Sequence, residues 1–113
     1  MEKQKLNEAI HKAVFGKNIK NIREIGDFYK DINLKDISNL NHNVVNEQKE
    51  VFEWIFENPN YDFNGLFDNH YLERYGFTNE EFLRYFKVYY DDLLFIIDKY
   101  NKKEFLIKSE DFK

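Results

Sequence analysis

The sequence has 113 residues, no cysteine and a formal net charge of −4 at pH 7. The absence of cysteine excludes disulfides and thiolate metal sites and is typical of the reducing cytoplasm, so we predict a cytoplasmic protein. The N-terminus is charged and no long apolar run follows, so we expect no signal peptide and no membrane-spanning segment. The length predicts a single helical domain over residues 1–113.

Charge is unevenly spread along the chain. Residues 41–100 carry twelve acidic and five basic side chains, whereas the segments on either side are slightly basic. An acidic field repels nucleic acid and attracts basic partners. The other interpretation of the same charges is a solvated surface that keeps the protein in solution.

Hydrophobic periodicity predicts an all-α domain of four to five helices, orthogonal or bundle-like in its packing. The predicted helices cover residues 2–15, 18–29, 41 or 43–57, 68–75 and 79–100. Residues 31–41 are ambiguous, because Leu34, Ile37 and Leu40 are spaced by three, which fits a short helix or a 3₁₀ turn. The tail, residues 104–113, contains one apolar cluster that suits a docked extended segment.

The helix over residues 79–100 is the one around which we expect the others to pack. Thr78 and Glu81 have the spacing of a capping box, in which each side chain accepts from the backbone N–H of the other residue. Apolar side chains fill about half of the helix circumference, which suits a helix that contacts several neighbours. We expect Phe86 to be buried in this arc.

Two apolar residues of the same helix, Val88 and Phe95, lie within its polar half. They either meet another helix or form a small exposed patch. Because most apolar residues at helical spacing belong to the core, we predict contact with another helix.

The sequence contains no motif that would support catalysis. A glycine-rich phosphate loop, a Gly-x-Ser-x-Gly elbow and a His-Glu-x-x-His pair are all absent. Glu8 and His11 form one Glu-x-x-His, whereas a di-metal bundle needs two such motifs and further glutamates. We therefore predict no enzyme activity, no metal and no cofactor.

Residues 71–87 offer an alternative function. A short helix, a Gly76-Phe77 turn and a longer helix resemble the helix-turn-helix of AraC-type regulators, with Phe82, Arg84, Phe86 and Lys87 at comparable positions. The resemblance implies DNA binding. A DNA-reading helix needs several outward basic or amide side chains, and this one presents Arg84 and Lys87 among acidic neighbours. We therefore expect no tight binding to duplex DNA.

The third helix carries the clearest candidate binding surface. Its outward side chains form an acidic cluster around the single tryptophan, Trp54: Glu47, Glu50, Glu53 and Glu57. Tryptophan is enriched at the centres of protein interfaces. Two situations fit the sequence: Trp54 projects into the carboxylates, or a neighbouring element such as the connector at residues 61–67 covers it.

These features together predict a non-enzymatic, acidic protein-binding module. Its partner would be a basic protein, such as a toxin, a nuclease or a nucleic-acid-binding effector, whose surface it would occlude. Toxin-immunity proteins, antitoxins and phage anti-defence proteins share this physical character, as a class-level analogy.

Overall fold

The computed structural model describes residues 1–14, 27–63 and 78–101. These residues form helices and no strand, which confirms the predicted all-α class. Within the described ranges the helices are α1 (Lys3–Val14), α2 (Asp27–Ser38), α3 (His42–Glu57) and α4 (Asn79–Asn101). The predictions for residues 18–26, 68–75 and 104–113 fall outside the described ranges.

The start of α4 shows the predicted capping box. The Oγ1 atom of Thr78 accepts a hydrogen bond from the backbone N–H of Glu81 at 3.1 Å. In return, Oε1 of Glu81 accepts from the backbone N–H of Thr78 at 3.1 Å. Two N–H groups that lack a partner inside the helix are thereby satisfied, which fixes where α4 begins.

Both ends of α3 also agree with the sequence. Asn41, one of the two predicted caps, accepts from the backbone N–H of Val44 at 2.9 Å through its Oδ1 atom. At the other end, the backbone N–H of Asn58 donates to the carbonyl of Ile55, and Pro59 follows. Proline restricts the residue before it to extended conformations, so the helix ends at Glu57.

The ambiguous stretch at residues 31–41 is largely α-helical, because α2 runs without a break from Asp27 to Ser38. Tyr29, Leu34 and Ile37 are all buried, and so is the polar residue Asn33. The spacing of three that suggested a 3₁₀ turn is therefore part of a longer buried face, which also includes Tyr29 and Asn33.

Helix α4 is the centre of the core, as predicted. Both α2 and α3 pack against it, and α1 packs against α3. Phe52 of α3 lies between two rings of α4, with centroids 5.4 Å from Phe86 and 5.3 Å from Tyr89. The side chain of Asn79 donates to the carbonyl of Pro59, so the start of α4 lies at the end of α3 and the two helices run antiparallel.

A buried polar network joins three helices. The hydroxyl of Tyr85 lies 2.9 Å from the carbonyl oxygen of Ala13 and 3.0 Å from Oδ1 of Asn33. The amide of Asn33 donates in turn to Oδ2 of Asp92 at 3.1 Å. Burial raises the pKa of the Tyr85 hydroxyl, an effect that the nearby Tyr89 reinforces. The network thus depends on a neutral tyrosine and fixes the end of α1 and the middle of α2 against α4.

The prediction for Phe95 was wrong. Phe95 is 38% exposed and lies outside the core formed by the described residues, and Nζ of Lys99 lies 5.4 Å from the ring centroid. Val88 is half-buried. The cation above the ring supplies a favourable contact that an exposed aromatic side chain would otherwise lack.

Candidate functional site

The outward side of α3 is the candidate binding surface, and helical geometry explains its composition. Val45, Phe52 and Ile55 recur at intervals of seven and three and are fully buried. The positions on the opposite side of the helix therefore turn outward, and there Glu50 and Glu57 are exposed. We call the set Glu47, Glu50, Trp54 and Glu57 the α3 face.

The carboxylates of the α3 face are little compensated by nearby cations. Lys5 of α1 lies 3.8 Å from Glu50, whose side chain is 71% exposed, so this pair contributes little to stability. Glu47 and Glu57 are exposed, and no cation among the described residues lies within ion-pair distance of either. Among the described residues the α3 face therefore has one weak ion pair, while Lys49 and Lys12 lie near Glu50 and Glu47 without pairing with them.

Glu53 is separated from the other predicted site residues. Its Oε1 atom accepts a hydrogen bond from Nζ of Lys49 at 3.0 Å, and this bond raises the pKa of Lys49. Burial and then the Glu53 carboxylate raise the pKa of the nearby Tyr90 hydroxyl. Glu53 thus belongs to the side of α3 that faces α4, and its charge is locally balanced.

Trp54 lies between the two situations that the sequence allowed. Its side chain is half-buried, and the ring of Tyr61 meets it edge to face with centroids 5.3 Å apart. Tyr61 also contacts Phe63 at 5.3 Å, and Phe63 contacts Phe86 of α4 at 5.8 Å. Tyr61 therefore covers part of Trp54 and, through Phe63, links it to the core.

Gln48 is a polar residue that the sequence reasoning missed. It is 2% exposed, its Oε1 atom accepts from the Tyr89 hydroxyl at 3.0 Å, and its Nε2 atom has no hydrogen-bond partner in the structure. It also lines a cleft of about 30 Å³ between α1 and α3, beside Glu47 and Lys12. The sequence could have indicated its burial, because Gln48 lies on the same buried stripe of α3 as Val45 and Phe52.

The alternative sites gain little support. Residues 71–77 of the helix-turn-helix candidate fall outside the described ranges. In the part that is described, Arg84 and Lys87 are exposed, but Nζ of Lys87 lies 3.0 Å from Asp91 and 5.3 Å from the ring centroid of Tyr90. Among the described residues, no three histidine, aspartate or glutamate side chains converge as metal ligands would.

Two further observations bear on the class of protein. No helix in the described ranges combines the length and the apolar character needed to cross a bilayer. Comparison with protein-family models, with curated proteins and with solved structures found no match to this chain. The function is therefore inferred from the geometry and charge of the site itself.

Proposed function

We propose that this protein is a non-enzymatic binding module that inhibits a basic protein partner by covering its surface. The observation that carries the proposal is the α3 face, where weakly compensated carboxylates surround a partly exposed tryptophan. We further propose that the protein acts in the cytoplasm, where its lack of cysteine suits the reducing conditions.

The two components of the α3 face would have different roles. The carboxylates would attract a basic surface over a distance of about one Debye length and so speed association. Trp54 would supply the apolar contact that slows dissociation, because a large aromatic side chain gains most when a partner removes it from water.

The charge of the face favours a partner with a basic surface. Toxins that cleave or bind nucleic acids present clustered lysine and arginine to the phosphate backbone. An acidic protein that docks on such a cluster competes directly with the nucleic acid, so it inhibits without chemistry of its own. A toxin, a nuclease or another nucleic-acid-binding effector fits this description.

The test compares two variants with the same change in net charge. The double variant Glu47→Lys/Glu57→Lys reverses two exposed carboxylates of the face that form no ion pair with a described residue. Its control, Glu2→Lys/Asp31→Lys, reverses two exposed carboxylates, one just before α1 and one on α2. Immobilised wild type and both variants are used to capture proteins from native lysate, and the captured protein is then purified for affinity measurements.

We expect the face variant to lose the partner and the control to retain it. Trp54→Ala should weaken binding by about 2 kcal/mol or more, roughly 30-fold, mainly through faster dissociation. The partner's activity on nucleic acid should fall when wild type is added. Equal capture by both double variants would contradict the proposal, and duplex DNA binding that Arg84→Ala abolishes would favour the regulator instead.

A further inference from the structure

Helix α4 has a second apolar stripe that lies at the edge of the core and stays partly exposed. Leu83, Tyr90 and Ile97 pack against the edge of the core but remain half-buried, and Leu94 is 37% exposed. Their positions are separated by seven, four and three residues, which is the alternating spacing of a coiled-coil seam. We call these four residues the α4 stripe.

The charged groups beside the centre of the α4 stripe are paired with each other. On one side, Lys49 and Glu53 of α3 form an ion pair at 3.0 Å. On the other, Lys87 and Asp91 of α4 form one at 3.0 Å. The stripe is therefore apolar with balanced charges on both sides, in contrast to the α3 face.

Tyr90 lies at the centre of this surface with its ring already positioned. Phe56 of α3 contacts it edge to face, with ring centroids 5.4 Å apart, and Nζ of Lys87 lies 5.3 Å from its centroid. A ring that is fixed in this way loses little conformational entropy when a partner covers it, which is the property of an interface anchor.

We propose that the α4 stripe is the interface of a two-fold symmetric homodimer. A surface with one sign of charge cannot pair with a copy of itself, whereas an apolar stripe with balanced charges can. Two-fold symmetry makes such a contact self-complementary. With the two α4 helices antiparallel about Tyr90, Lys87 of each copy would approach Asp91 of the other, so the ion pairs could be exchanged across the interface.

Two neighbouring residues of α4 provide a matched test. Leu94 and Phe95 are almost equally exposed, at 37% and 38%, but they lie about 100° apart around the helix. Only Leu94 belongs to the α4 stripe. Glutamate at either position adds the same charge to a partly exposed site, and only Leu94→Glu places that charge inside the α4 stripe.

The experiment is analytical ultracentrifugation of wild type and both variants over about 5 to 500 μM, with circular dichroism to confirm folding. We expect wild type and Phe95→Glu to reach twice the chain mass of 13.9 kDa. Leu94→Glu should raise the dimer dissociation constant at least tenfold.

The proposal is overturned if the wild type is monomeric at every concentration, as would result if another segment of the chain covers the stripe. A dimer that only Phe95→Glu disrupts, or that neither variant disrupts, also overturns it. The assay contains no partner protein, so its outcome is independent of the proposed function.

Discussion

Removal of the Tyr85 hydroxyl should destabilise the protein far more than the loss of one atom suggests. Tyr85 is fully buried, and its hydroxyl is placed to donate to both the carbonyl of Ala13 and Oδ1 of Asn33. Phenylalanine fills almost the same space, so Tyr85→Phe leaves the packing intact and removes the donor from two acceptors at once.

The expected loss of stability follows from a difference between making a buried hydrogen bond and leaving one of its partners unsatisfied. A typical bond contributes about 1 kcal/mol net, whereas a buried acceptor left without its donor costs about 1–3 kcal/mol. Because the single hydroxyl proton is shared between two oxygens, we expect a loss of about 2 kcal/mol for Tyr85→Phe. Tyr89→Phe removes the donor from one acceptor, Gln48, and should cost about 1 kcal/mol.

Urea unfolding followed by circular dichroism measures these differences through the transition midpoint. Tyr61→Phe is the control, since Tyr61 is half-buried and the substitution should change stability by less than about 0.5 kcal/mol. The expected order of destabilisation is Tyr85→Phe, then Tyr89→Phe, then Tyr61→Phe. If Tyr85→Phe unfolds at the wild-type midpoint, the network does not hold the three helices together as described.

Three further predictions concern the core, the cap and alkaline pH. Leu93 is fully buried in α4, so Leu93→Ala should cost about 3 kcal/mol in urea unfolding, and an unchanged midpoint would show that α4 does not organise the core. Thr78→Ala should cost about 1 kcal/mol by the same assay, through loss of the oxygen that accepts from Glu81, whereas Thr78→Ser should retain most of the stability. Burial raises the pKa of the Tyr85 and Tyr89 hydroxyls, so the folded state keeps protons that the unfolded chain loses above about pH 10. Their stabilising contribution is complete below about pH 10 and falls at higher pH by up to about 1.4 kcal/mol per pH unit for each hydroxyl. Melting temperatures measured between about pH 9 and 11 should therefore decrease. A melting temperature that does not change over this range would contradict the prediction.

The sequence predicted those features of the fold that depend on nearby residues. The capping box at Thr78, the Asn41 cap and the end of α3 before Pro59 each involve partners within four positions. The buried stripes of α1, α3 and α4 follow from helical periodicity alone. These signals sufficed for the all-α class and for the choice of α4 as the central helix.

The features that the sequence did not predict depend on distant partners. Asn33 and Asp92 are polar residues 59 positions apart, and nothing local indicates that they meet in the interior. The environment of Trp54 depends on the placement of Tyr61, and that of Glu53 on Tyr90 in another helix. The exposure of Phe95 was mispredicted because periodicity shows on which side of the helix an apolar residue lies. It does not show whether another element packs against that side.

The ring contacts from Trp54 through Tyr61 and Phe63 to Phe86 have an optical consequence. The chain has one tryptophan and eight tyrosines, and the tyrosine in edge contact with the indole can transfer its excitation energy to it. Emission from Trp54 is therefore excited partly by light that Tyr61 absorbs, in addition to light that the indole absorbs itself. Separation of Tyr61 from Trp54 reduces this sensitised emission, whereas a partner that covers the indole shifts its wavelength. The emission of Trp54 thus responds in different ways to a displacement of Tyr61 and to occupation of the α3 face, without any added label.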